Sequence, residues 1–180
     1  ANTCLTGSGG GLAECSGLIE LNRIEGNTAR LGGGAANLFG RVERNQFAAN
    51  AASENGGALA QGEATLLSNT LERNTAALDG GALALFAGRT IANTFIANLA
   101  RSGGGLWQCT GPIEANTIES NVATFAGGGL ADCDGRITGN LVRDNRASTG
   151  GGLHGCDGRI AENRIEANRA THGGGLAACD

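Results

Sequence analysis

The side chains in this sequence with the most chemical potential lie near its C-terminus, where aspartates recur every 23 residues. They form one column if the repeat folds into stacked coils, and arginine follows two of them after two residues. Carboxylates in a column could hold calcium, and a carboxylate beside arginine could act on an acidic polysaccharide. The alternative is a solvated ladder of salt bridges. The column is Asp134, Asp157 and Asp180, with Asp132, Arg136 and Arg159 beside it.

The cysteines are the second reactive group, and five of the six share one position of the repeat. Leu38 and Phe86 fill this position in other coils, which predicts an inward column of buried thiols. Stacked coils also bring Cα atoms into disulfide range. The pairing expected then is Cys109 with Cys133, Cys156 with Cys179, and Cys4 with Cys15. Zinc is disfavoured, because a straight column cannot surround one ion with four ligands.

Trp107 is the only tryptophan, and it stands in a column otherwise filled mainly by alanine. An exposed indole can stack on a sugar ring, which makes Trp107 a candidate for carbohydrate binding. The alternative is that the ring covers a thin part of the core. His154 and His172 lack a metal-ligand spacing, and we expect both at the surface.

These residues are carried on a repeat of 23 or 24 residues that opens with paired glycines. An asparagine follows the first glycine after 13 residues, a second asparagine comes five residues later, and alanine follows it after two more. Only the stretch after that alanine changes in length. Such a period predicts a solenoid whose insertions fall on one face. The repeats begin at residues 9, 32, 56, 80, 103, 127, 150 and 173.

Single apolar residues recur between the glycines and asparagines without any helical stripe. Three columns should point inward, beginning at Leu12, Ile19 and Ile24, and the alanine should fill a corner. The predicted fold is all-β: one right-handed parallel β-helix domain over residues 1–180. It should have seven to eight coils, each with three short strands, and no obvious caps.

Both asparagine columns predict ladders at the corners of the coils. Asparagine tolerates left-handed backbone, and its amide can bond to the same residue in the next coil. Buried ladder amides have their hydrogen bonds committed, which argues against a ligand-binding role. The first column is Asn22, Asn45, Asn69, Asn93, Asn116, Asn140 and Asn163; the second is Asn27, Asn50, Asn74, Asn98, Asn121, Asn145 and Asn168.

Composition narrows the partners. The chain has 13 arginines, no lysine and a net charge of −4, a poor match for nucleic acid or an anionic membrane. No apolar run is long enough to span a bilayer. Apart from calcium, no cofactor is predicted.

The sequences GGAL at 56–59 and 80–83, FAAN at 47–50 and FIAN at 95–98 resemble the repeat of polymorphic outer-membrane protein autotransporters. More broadly, the whole chain is similar to the pectate-lyase-like β-helix repeats of secreted and cell-surface bacterial proteins. The resemblance implies an extracellular or cell-surface passenger, adhesin or stalk. The cysteine column departs from that repeat. Enzymes of this superfamily build their sites between long loop insertions, which no coil here has, so catalysis is not expected.

The two terminal coils suggest a partner. An open β-helix exposes unpaired strand edges, and here Cys4 and Cys179 would fall in one composite coil if two chains met end to end. We therefore expect a structural β-solenoid: a rod, a surface passenger or adhesin segment, or a subunit of a fibre joined head to tail. The other interpretations are a carbohydrate-binding module for cell-surface glycans and a polysaccharide lyase or hydrolase.

Overall fold

The computed structural model describes residues 1–180 as a parallel β-solenoid without helices. Four sheets, named A to D, run along the rod, and each receives about one strand from every coil. Strands pair in parallel with their counterparts in the neighbouring coils. Sheet A contains Thr3–Ser8, Thr28–Leu31, Ala51–Ala52, Thr75–Ala76, Leu99–Ser102 and Val122–Ala126. Sheet B contains Leu12–Ala13, Ala35–Leu38, Leu59–Gly62, Leu83–Ala84, Leu106–Trp107, Leu130–Ala131, Leu153–His154 and Leu176–Ala177.

The other two sheets have seven strands each. Sheet C contains Leu18–Glu20, Arg41–Glu43, Thr65–Leu67, Thr90–Ile91, Ile113–Glu114, Ile137–Thr138 and Ile160–Ala161. Sheet D contains Arg23–Glu25, Gln46–Ala48, Thr70–Glu72, Thr94–Ile96, Thr117–Glu119, Leu141–Arg143 and Arg164–Glu166. The chain therefore visits the sheets in the order B, C, D, A in every coil, and the predicted number of coils and the parallel solenoid fold are confirmed.

The prediction of three strands per coil is wrong, because the stretch around the repeated alanine is itself a strand. Ala29 pairs with Ala52 in sheet A and is buried. A lone alanine between polar residues gives a weak strand signal, which is why the sequence pattern points to a corner. Sheet A becomes irregular in the last two coils, where only isolated bridges such as Arg146 to Arg169 remain.

The interior consists of the three predicted columns. In one central coil Leu59, Leu66 and Leu71 point inward from sheets B, C and D, and all three are fully buried. They join a single core that continues through the stack. Thr90 is the exception, since it takes a core position next to Leu66 but its buried hydroxyl has no hydrogen-bond partner.

Left-handed backbone occurs at the corners, but not at the ladder asparagines as expected. The residue before each asparagine adopts it instead, for example Arg44 at φ 53° and Ala49 at φ 51°. Glycine is required at Gly32, which has φ 58°, because a Cβ there would lie 2.1 Å from the carbonyl oxygen of Ala35. The repeated glycine thus allows sheet A to turn tightly into sheet B.

Candidate functional sites

The asparagine ladders are present at two corners of the rod, between sheets C and D and between sheets D and A. Asn98 shows the pattern: its Oδ1 accepts from the backbone N–H and the Nδ2 of Asn74, at 2.9 and 3.0 Å. Its Nδ2 donates to Asn121 Oδ1 and to the carbonyl oxygen of Leu71, both at 2.9 Å. Every donor and acceptor of this buried amide is used. The second ladder also includes Asn2, whose N–H donates to Asn27 Oδ1 at 2.7 Å.

The thiol column lies inside the rod where sheet B ends, as predicted for five of the cysteines. Cys109, Cys133 and Cys156 are buried, and Cys179 is half-buried in the last coil. Each thiol donates to the carbonyl oxygen two residues earlier, as Cys133 does to Ala131 at 3.3 Å. Burial raises the pKa of Cys133 well above its usual range. The neighbouring thiol does the same to the pKa of Cys156, so the column is held protonated and unreactive.

None of the three predicted disulfides is present, and all six cysteines are free thiols. Cys4 lies opposite Ala29 in sheet A, outside the column that contains Cys15. Within the column, in-register parallel strands hold equivalent Cβ atoms about 4.8 Å apart. Disulfides need Cβ atoms about 3.5–4.5 Å apart, so forming one would require the backbone to move.

The acidic corner lies between sheets B and C and contains Asp132, Asp134, Asp157 and Asp180. The last three are exposed and none is in an ion pair, so the predicted salt-bridge ladder is wrong. Arg136 instead pairs with Glu114, one coil earlier, and Arg159 pairs with no carboxylate. Asp132 and Asp134 line a shallow cavity of about 320 Å³, which the other candidate catalytic residues do not reach. No group of three or more acidic, cysteine or histidine side chains is arranged to hold a metal ion, so the calcium candidates are not assembled as a site.

Trp107 is half-buried on sheet B between Ala84 and Ala131. Its indole N–H donates to Asp132 Oδ2 at 3.1 Å, which ties two adjacent coils together. His154 continues the same column, and its buried Nδ1 has no hydrogen-bond partner. The hydrogen bond gives Trp107 a structural role, while sugar stacking by its ring stays a prediction.

Most arginines are neutralised by carboxylates on the same or an adjacent coil. Ten of the 13 form ion pairs; the other three are Arg146, Arg159 and Arg169. The sequence analysis missed the most buried of these pairs. Asp79 is 4% exposed and accepts from Arg101 Nε and Nη2 and from the Ser102 N–H, at 2.9–3.2 Å.

A basic groove, which we define by residues 122–124, 146–148 and 169–171, is the largest cavity, at about 620 Å³. It lies on sheet A at the C-terminal end, and Arg146 and Arg169 are both exposed in it. The sequence analysis missed these two arginines. Their signal was the 23-residue spacing together with the variable segment that both coils share.

Comparison with protein-family models, with curated proteins and with solved structures finds no match to this chain. The resemblance to pectate-lyase-like and autotransporter repeats therefore stays a prediction beyond the parallel solenoid fold. The structure contains no long apolar helix of the kind that crosses a bilayer.

Proposed function

We propose that this chain is an extracellular or cell-surface structural rod that lengthens by stacking its terminal coils head to tail on a second copy. The polarity of the asparagine ladders carries the proposal. At each step the backbone N–H and Nδ2 of one asparagine donate to Oδ1 of the next, as from Asn45 to Asn69. A ladder therefore has an acceptor end and a donor end, which complement each other and not themselves.

The unused ladder groups lie at opposite ends of the rod. In the first coils, the Oδ1 atoms of Asn2 and Asn22 accept no hydrogen bond, although both residues donate. In the last coil, the backbone N–H groups of Asn163 and Asn168 donate to no ladder oxygen, although both side chains accept. Stacking would give each free donor or acceptor the kind of partner it has elsewhere in the ladder.

The terminal coils also leave apolar side chains uncovered. Leu18 is 59% exposed in the first coil and Leu176 is 41% exposed in the last, whereas their central neighbours in the core are fully buried. Ile160 and Ile165, core positions of the last complete coil, are only half-buried. Covering these surfaces would supply the hydrophobic part of the association.

The repeat fixes how two copies would meet. Asp180 occupies the position of Asp157, and Ala1 the position of Ala167, so the composite coil lacks the equivalents of residues 158–166. Sheets A and B would continue directly across this joint, with Asn168 facing Asn2 of the second copy. Sheets C and D would each lack one strand there, which would weaken the joint relative to an internal coil.

Sedimentation velocity over a range of concentrations tests the stacking. We expect species that grow with concentration, and filaments in electron micrographs of concentrated protein. Leu176→Asp should block growth, because it places a charge on the last strand of sheet B. Leu78→Asp is the matched control, since Leu78 is also 41% exposed but lies in the middle of the rod.

A second variant strengthens the test by completing the joint. Adding the nine residues of positions 158–166 after Asp180 supplies the missing strands of sheets C and D, and should lower the concentration at which filaments appear. A sedimentation profile that stays monomeric for both the unaltered and the extended chain, or an equal effect of the two leucine variants, contradicts head-to-tail stacking.

The proposed location outside the cell has its support in the resemblance to secreted repeats. Brief protease treatment of intact source cells tests it. Surface-exposed protein is digested while a cytoplasmic marker survives, and survival of both would contradict the location.

A further inference from the structure

The basic groove owes its shape to a difference in coil length. The coil that begins at residue 103 has 24 residues and the next two have 23. The extra residue forms a bulge at Thr124 and Phe125, which together face Arg101 alone in the preceding coil. The N–H groups of Ser148 and Thr149 both donate to the carbonyl oxygen of Phe125. The bulge therefore overhangs the shorter coils and walls one end of the groove.

The charges in this groove are uncompensated. Arg146 and Arg169 are bridge partners in adjacent coils, so their side chains leave the sheet about 4.8 Å apart. Neither has a carboxylate partner, and like charges at neighbouring ladder positions destabilise each other. Elsewhere the rod avoids this arrangement, since Arg89 and Arg136 lie on either side of Glu114 and share it.

We infer that the basic groove binds a tetrahedral oxyanion, a phosphate or sulfate group, between the guanidinium groups of Arg146 and Arg169. The inference is independent of head-to-tail stacking, because the groove lies on the side of the rod. Ser148 and Thr171 line the same groove and offer hydroxyl donors beside the two cations.

The number of donors selects the class of ligand. Each guanidinium presents a planar fork that binds two oxygens of one acceptor group. A carboxylate has two oxygens and is satisfied by one fork. A phosphate or sulfate group has three or four, so it can accept from two forks and a hydroxyl at once. A pair of stacked arginines flanked by hydroxyls therefore suits a tetrahedral oxyanion better than a carboxylate.

The test is an NMR titration of the full chain with inorganic phosphate, inorganic sulfate, glucose 6-phosphate and acetate, each against sodium chloride at equal ionic strength. We expect saturable shifts of the amides at 146–148 and 169–171 with phosphate or sulfate, and weaker ones with acetate. Saturation by glucose 6-phosphate identifies an ester as an acceptable source, and its failure identifies the free ion.

Three variants separate the site from general electrostatics. Arg146→Gln and Arg169→Gln should each weaken binding at least about tenfold, since each removes charge-assisted hydrogen bonds. Arg159→Gln is the matched control, because it removes the third unpaired arginine, which lies outside the groove, and should leave affinity unchanged. Thermal unfolding confirms that all three fold. Equal shifts with chloride, acetate as strong as phosphate, or equal losses in Arg159→Gln would overturn the inference.

Discussion

Two kinds of polar column run along this solenoid: the asparagine ladders inside it, and the aspartate and arginine columns on its surface. An amide both donates and accepts, so identical residues can stack indefinitely and satisfy one another, as Asn74, Asn98 and Asn121 do. A carboxylate or a guanidinium offers only one of these roles, so a stack of identical charges cannot satisfy itself. The surface therefore pairs most charges with opposite ones in adjacent coils and leaves a few columns open to other partners.

The largest effect should come from breaking a ladder in its middle. Asn98→Ala removes two bonds that its Oδ1 accepts and two that its Nδ2 donates, and leaves the buried carbonyl of Leu71 short of a donor. We expect a loss of at least about 3 kcal/mol in the free energy of unfolding, measured with urea.

Asn22→Ala is the matched end-of-ladder control. Asn22 is exposed and its Oδ1 accepts nothing, so we expect a loss of about 1 kcal/mol or less. Equal losses at the two positions would mean that interior ladder bonds stabilise the rod no more than terminal ones.

The thiol column adds a buried stack whose members titrate, unlike the amides. The pKa of Cys133 is raised in the folded protein, above the unfolded value of about 8.5. The stability that this thiol contributes is therefore complete below about pH 8.5, and is lost as pH rises from there towards the folded pKa. The slope should reach about 1.4 kcal/mol per pH unit for this one group.

Urea unfolding between pH 7 and pH 10 measures that slope. Cys133→Ala should be less stable at pH 7, because it leaves a small void, but should have a shallower decline above pH 8.5. An identical decline in the variant would show that other groups cause the alkaline loss.

The smallest effect should come from the acidic corner. Asp157 stands between Asp134 and Asp180 in one exposed column, so Asp157→Asn should raise the free energy of unfolding by about 0.2–0.5 kcal/mol at low salt. The gain should vanish near 1 M salt, where charges are screened over about 3 Å. Asp144→Asn, at an exposed aspartate outside the column, should show no such gain, and a gain there of equal size would remove the role of the column.

The same contrast explains what the sequence could predict. Positions that repeat without exception, such as the ladder asparagines and core leucines, see identical neighbours in every coil, so one coil predicts the next. The pairing of Arg136 with Glu114 and of Arg101 with Asp79 could not be predicted, because each joins different columns in different coils. The basic groove required knowing where an extra residue bulges, which depends on the backbone around Phe125.

The direction of the hydrogen bonds bears on how this rod would resist force. Ladder and sheet bonds join successive coils along the long axis, and the chain enters at one end and leaves at the other. A pull on the two termini would therefore load the bonds of one end coil at a time and unwind it like thread from a spool. A side-on attachment would share the same load among many coils, so a rod of this kind is mechanically strongest when held along its flank.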